Sequence, residues 1–464
     1  MGSPRVPALD QEPARRALEG AVALGAGVVA GLAIARLGTA DNQLKAILVG
    51  VAAVGIGIGA FRPAFGLALL VALVPFQFRF TAAGVYTGTN EALIVGLALI
   101  LCWRVRLAAV PGWVRLGALA LIAGSWLSVL GAERPGDAAW GAVRWTATLL
   151  LLLAAFDILR REREAIRKMM VIIASSAVVV AFFAIAQRAG IDAVVGAPFQ
   201  QGNVDSFFGY YTAYAGYMAM VAVLVTGEVV ASWSERRAGR ALAFGLALVP
   251  ILLGVAVSLS RGGLLALGAG WVVLVVLLAR RGGLLVRAGL VLAVFAAAAL
   301  IATPPQVRTT FEQRFSQPIG AANEDRTRAE LQQAGRRALG NHVFGLGYGN
   351  FSRYLQRTTH SRFVNQAFFH SHQLPTQVGV DSGWLGLAGF AVLALTPFAL
   401  VLRRLVRGAV SVRGAAFVAA LAGFLAQGLF DYLLYEIAFL VLFCMLVFGA
   451  WYELAGPGTR PERE

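Results

Sequence analysis

The sequence predicts an all-α fold: a polytopic transmembrane helix bundle of about 12–14 spans with one large loop region outside the membrane. Three observations carry this. Of 464 residues, 58% are hydrophobic and only 14% charged, against roughly 25% charged in an ordinary soluble domain. Apolar runs recur from end to end at lengths suited to a hydrocarbon core about 30 Å thick, which takes about 20 residues of helix. The period-2 alternation of a membrane barrel is absent.

Fourteen apolar runs qualify, near 18–37, 44–60, 64–77, 91–103, 115–131, 140–158, 168–187, 210–231, 241–259, 263–279, 284–302, 383–402, 414–430 and 437–454. The third and fourth are short, and a re-entrant pair there would reduce the count to twelve. The organisation that follows is 1–302 as spans one to eleven, 303–382 as the loop region, and 383–464 as the last three spans with the C-terminus. The first run lacks a small-residue cleavage site with a polar sequel and reads as a retained helix.

The net charge of +16 does not imply a nucleic-acid partner. The cations are arginines, apart from Lys45 and Lys168, and they flank apolar runs, where the positive-inside rule places them. With the N-terminus inside, the inner segments hold 24 basic residues against seven in the short outer ones, and nine fall in 303–382. Both termini are therefore expected in the cytoplasm and 303–382 outside. Cys102 and Cys444 lie within apolar runs and offer no metal spacing and no disulfide framework.

Ionisable groups at a membrane mouth are costly and mark function. Ser258-Leu-Ser-Arg261-Gly-Gly263 sets a guanidinium at an outer turn, a fork suited to phosphate. Asp325-Arg326-Thr-Arg328 sets two more at a helix start, where backbone donors also favour an anion, with Asn323 or Asp325 as the expected cap. The bland readings are an interfacial arginine and a solvated charge run. All four histidines, His342, His360, His370 and His372, fall in the loop region, and histidine is the side chain best suited to take a proton near neutral pH. Two histidines at i and i+2 raise the question of a metal, but no third ligand sits at a recognisable spacing and HExxH is absent. Asp381 is a candidate either to orient a histidine or to cap a helix. Asp431-Tyr-Leu-Leu-Tyr-Glu436 forms the last outer turn, where a structural salt bridge is the alternative to a role in the site.

Taken in order, these segments resemble the O-antigen ligase and polymerase superfamily of bacterial inner-membrane glycosyltransferases. Ser-Arg261-Gly is similar to its Ser-Arg-Gly element, and Arg326 followed by Phe344-Gly-Leu-Gly-Tyr-Gly-Asn-Phe351 to its arginine and FGxGxxNF stretch. His372 with Gly383 and Gly386 is similar to its H-N-x9-G-x2-G pattern, with Gln373 in place of the asparagine.

The resemblance implies a glycosyltransferase at the periplasmic face of the inner membrane. It would move a glycan from a polyprenyl (undecaprenyl) diphosphate donor to an acceptor hydroxyl by an inverting, metal-independent displacement without a cofactor. It implies Arg261 and Arg326 on the diphosphate and His372 as general base. Arg328, Arg144, Tyr210 and Asp431 join them as candidate substrate-binding residues. The expected acceptor is lipid A–core. A second lipid-linked glycan (a polymerase) and a protein hydroxyl (an O-oligosaccharyltransferase) remain alternatives, and a lipid-linked glycan transporter is the alternative of another class.

Overall fold

The computed structural model describes residues 43–76, 79–82, 85–102, 105–159, 164–191, 204–279, 289, 323–359, 370–408 and 410–455. The expected spans at 18–37 and 284–302, and His360, lie outside them. The described chain is a helix bundle, as expected. Its helices are α1 (Gln43–Phe61), α2 (Pro63–Leu73), α3 (Thr89–Leu101), α4 (Gly112–Val129), α5 (Pro135–Ile158), α6 (Ala165–Arg188), α7 (Tyr211–Ser234), α8 (Ala238–Val257), α9 (Arg261–Leu278), α10 (Asn323–Asn341), α11 (Phe351–Thr358), α12 (Leu374–Val406), α13 (Val412–Gly428) and α14 (Ile437–Ala455). Among the described residues, eight helices are long and apolar enough to cross a membrane.

Eleven residues of α2 extend only about 16 Å at 1.5 Å per residue, short of a hydrocarbon core. A small antiparallel hairpin, β1 (Arg79–Ala82) with β2 (Val85–Gly88), follows it. The all-α bundle thus has one minor β element, in the stretch where the sequence shows its shortest apolar runs.

Helix α7 is predominantly apolar and is buried on every side, as a helix hydrophobic around its circumference must be. It packs on α8, α9 and α13. Between membrane helices, small residues allow close backbone approach, and α4 meets α12 in that way. A methyl group on Gly389 would stand 2.6 Å from the Gly117 carbonyl oxygen. At the end of the bundle holding Ser234 and Val412, the Glu228 carboxylate is buried between Arg413 (Nε 2.6 Å, Nη2 3.0 Å) and Arg240 (Nε 3.1 Å). Removing one partner of such a pair strands a buried charge, so this cluster pins α7, α8 and α13 together.

The loop region caps the opposite end. A satellite core of Leu331, Ala338, Phe351, Leu355 and Val380 joins α10, α11 and the start of α12. Helix α12 begins at Leu374, ahead of the expected span, and breaks at Gly383 (φ 69°, ψ −177°), a conformation that essentially only glycine adopts. The glycine-rich stretch docks on this break: Leu346 N–H donates to Val380 O (2.6 Å), and Trp384 N–H to Val343 O (3.0 Å). Its other side is fastened to the α4–α5 turn, where Arg134 N–H donates to Asn350 Oδ1 (2.7 Å). The motif glycines thus have a structural use, locking the loop region onto the broken helix.

Candidate functional site

His370, Ser371 and His372 form the bend leading into α12, with Pro375 in its first turn. His372 has φ 52°, a left-handed conformation uncommon for a non-glycine residue. The neighbours hold it there. Its N–H donates to His370 Nδ1 (3.3 Å), and its carbonyl accepts from Gln332 Nε2 (3.2 Å) on α10.

Nδ1 of His372 lies 3.2 Å from Asp431 Oδ1, and Tyr432 N–H donates to the same oxygen (2.9 Å). Burial would raise the Asp431 pKa, but the His372 hydrogen bond, the charges of His372 and His370, and Arg328 hold it well below the usual carboxylate range. An ionised carboxylate can only accept, so the ring proton belongs on Nδ1 of His372 and Nε2 keeps its lone pair. The geometry therefore prepares Nε2 to accept a proton.

His370 is prepared differently. Its Nδ1 already accepts a backbone N–H, and its ring stacks on Tyr435 (centroids 5.2 Å, 16°). Burial first, then the charges of His372 and Arg328, push its pKa down to about 3 against the pull of Asp431. His342 sits elsewhere, exposed and edge-on to Tyr354.

Arg328, Tyr210 and Arg144 are tied to this centre by identifiable interactions. Arg328 is close enough to act on His370 and Asp431 electrostatically, and it shares a helical face with Gln332 four residues on. Arg326 is exposed in the first turn of the same helix. Arg261 opens α9 after Ser260, whose hydroxyl caps Gly263 N–H (3.2 Å). Gln427 packs against Gly262 and accepts Asp431 N–H on its backbone carbonyl (3.0 Å), while its side-chain Nε2 donates to Thr212 O (3.0 Å). One residue of α13 thus brings the arginine turn, the Asp431 turn and the start of α7 together. Half-exposed Tyr210 meets the Tyr435 ring edge-on (5.7 Å). Buried Arg144 donates to Tyr435 O (2.7 Å), pairs with Glu91 (3.9 Å) and lies over the Tyr348 ring (5.1 Å).

Two sequence readings change. Asp381 neither caps a helix nor touches a histidine; it accepts from Gln377 Nε2 (2.7 Å) and Tyr432 OH (2.9 Å). Asp431 pairs with His372, and the pairing also supplies the third donor that spacing did not reveal. His370, His372 and Asp431 each offer one ligand atom within a 4.8 Å cluster that could hold a cation. Sequence reasoning also missed Gln332, Gln377, Tyr432 and Tyr435, ordinary residues whose only signal is position beside a motif. An apolar cavity of about 100 Å³ between α2, α5, α6 and α14 has Lys168 as its only charged lining residue among the described residues.

The bundle and its polar mouth define a multipass membrane protein with a histidine–carboxylate pair and Arg328 near it. Residues 246–391 match the family model described as O-antigen ligase, and over that stretch the chain is similar to the O-antigen ligase and polymerase superfamily. The stretch includes Arg261, Arg326, Arg328, His370 and His372 but ends before Asp431. No curated protein and no solved structure matches the chain.

Proposed function

We propose that the protein transfers a glycan from a polyprenyl (undecaprenyl) diphosphate donor to an acceptor hydroxyl at the periplasmic face of the bacterial inner membrane, with lipid A–core as the acceptor. The observation that carries the reading is the His372–Asp431 contact, which leaves Nε2 as an acceptor within a chain whose residues 246–391 match the O-antigen ligase model. The acceptor oxygen attacks the anomeric carbon from the face opposite the diphosphate, and the configuration inverts. His372 Nε2 takes the hydroxyl proton, the imidazolium is stabilised by Asp431, and the carbon–oxygen bond to the diphosphate breaks.

Negative charge then grows on the leaving diphosphate. Arg261, Arg326 and Arg328 meet it with fixed donors, the kind of interaction worth most in the transition state. Arg144, locked against Tyr435 and Glu91, shapes the floor, and Tyr210 offers a ring for sugar stacking at the rim. A diphosphate is a good leaving group, so the step needs no cation at the three-residue cluster. A site at the bundle mouth lets the polyprenyl tail remain in lipid.

Purified protein in nanodiscs, given a polyprenyl-diphosphate glycan and each acceptor class in turn, tests this. The expected result is release of polyprenyl diphosphate only with a lipid A–core acceptor, unaffected by chelator. Release with a second lipid-linked glycan or a serine-containing peptide would reassign the acceptor, and loss of transfer in EDTA would replace the metal-free mechanism.

A further inference from the structure

Asp381 has an unusual place between two arms that both end on the candidate base. Its carboxylate is buried and receives Gln377 Nε2 on Oδ1 (2.7 Å) and Tyr432 OH on Oδ2 (2.9 Å). The first arm continues to the histidine loop, because Gln377 Oε1 accepts the N–H of Ser371 (2.7 Å), the residue before His372. The second continues to the carboxylate partner, because Tyr432 N–H donates to Asp431 Oδ1, the oxygen facing His372 Nδ1. The direction of the Gln377 arm is fixed: a backbone N–H only donates, so Gln377 must show its oxygen to Ser371 and its amide hydrogens to Asp381.

We propose that Asp381 is a positioning residue that sets His372 against Asp431 through Gln377 and Tyr432, touching neither donor nor acceptor. The proposal rests on the reading of His372 as general base. Its chemical sense lies in the left-handed backbone of His372. Such a conformation persists only where the surroundings over-determine it, and the Gln377 arm is one of those constraints. The Tyr432 arm meanwhile fixes the carboxylate turn, so one buried acid controls both halves of a pair joined by one hydrogen bond.

The test uses the full-length protein in nanodiscs with Tyr432→Phe, Asp381→Asn and the double variant, scored by kcat, donor KM and thermal unfolding. Tyr432→Phe removes one oxygen and keeps the ring, so it answers even if Asp381→Asn fails to fold. Each folded single variant is expected to lose about tenfold or more in kcat, within the range general-base catalysis is worth, with donor KM within about twofold. The double variant should be no worse than the more damaging single, because both cut one network. A purely structural role would lower kcat and the thermal midpoint together, whereas the positioning role lowers kcat with the midpoint kept. Wild-type kcat in Tyr432→Phe, with His372→Ala inactive, would overturn the positioning role alone. Transfer surviving in His372→Ala would overturn the base reading beneath it.

Discussion

Asp431 Oδ1 stands 3.2 Å from Nδ1 of His372 although 59 residues separate the two in the chain. The turn after α13 supplies the carboxylate and the bend before α12 supplies the ring. The same oxygen takes the Tyr432 N–H, which matters for substitution. In Asp431→Asn the amide oxygen must stay toward that N–H, so the ring remains in place and only the charge is lost. The expected cost is about 10- to 100-fold in kcat, with Asp431→Ala approaching the loss in His372→Ala. Equal kcat in Asp431→Asn and the wild type would show that the carboxylate charge has no part in the step.

His370 should behave unlike its neighbour. It is held neutral in the folded protein, its pKa down at about 3, whereas in the unfolded chain it charges near 6.5. Between those values the unfolded state binds the extra proton. Stability from this residue is therefore intact above about pH 6.5 and is lost progressively as pH falls toward 3. Asp431 adds a second loss in the same direction, below the ordinary carboxylate range, as its depressed pKa is approached. His370→Asn keeps an acceptor for His372 N–H and does not titrate. Its thermal midpoint in detergent should fall less between pH 6.5 and 4.5 than that of the wild type, and its transfer rate should remain well above that of His372→Ala. An unchanged pH slope would contradict the assignment.

The arginines are expected to differ from lysine. A guanidinium offers two parallel donors to a phosphate, whereas an ammonium is a point charge. Arg261→Ala or Arg326→Ala should cost about 10² in kcat/KM for the donor, and lysine should restore only part of it. Wild-type turnover in the Arg261→Lys, Arg326→Lys double variant would remove both from the diphosphate site.

Gly383 tests the link between the two glycine motifs. A Cβ there would stand 2.6 Å from the Phe344 carbonyl carbon and 2.7 Å from Val343 O, at a backbone angle side chains rarely take. Gly383→Ala should lower stability by about 1–3 kcal/mol from backbone strain alone, read as a fall in the thermal midpoint. An unaltered midpoint would mean that the break in α12 is not held by the glycine-rich stretch.

Most of the bundle was legible because apolar run length is set by the bilayer and does not depend on partners. Helices α7 and α14 start and stop within a few residues of the runs at 210–231 and 437–454. The early boundary of α12 was not legible, since Leu374–Ser382 carries polar residues that a hydropathy reading assigns to a loop. The left-handed bend at His372 and the closure onto Asp431 are tertiary facts. No local pattern distinguishes Asp431, which meets the His372 ring, from Asp381, which was the nearer candidate for that contact. Motif spacing singled out the histidine and the arginines as candidates, while the groups in contact with His372 became visible only when α10, α12 and α13 met.

Sidedness has its own check. In a cysteine-free background, Gln356→Cys on exposed α11 should react with an impermeant maleimide from the periplasmic side. Reaction only after the cytoplasm is opened would invert the topology and move the site to the other face.

The account turns on one proton, and single-turnover transfer by His372→Ala measures it most directly. With donor prebound and acceptor saturating, the variant should retain donor binding and lose about 10²–10⁴ in rate, the usual worth of a positioned base. Near-native single-turnover transfer by His372→Ala would contradict the account, whatever the other variants do.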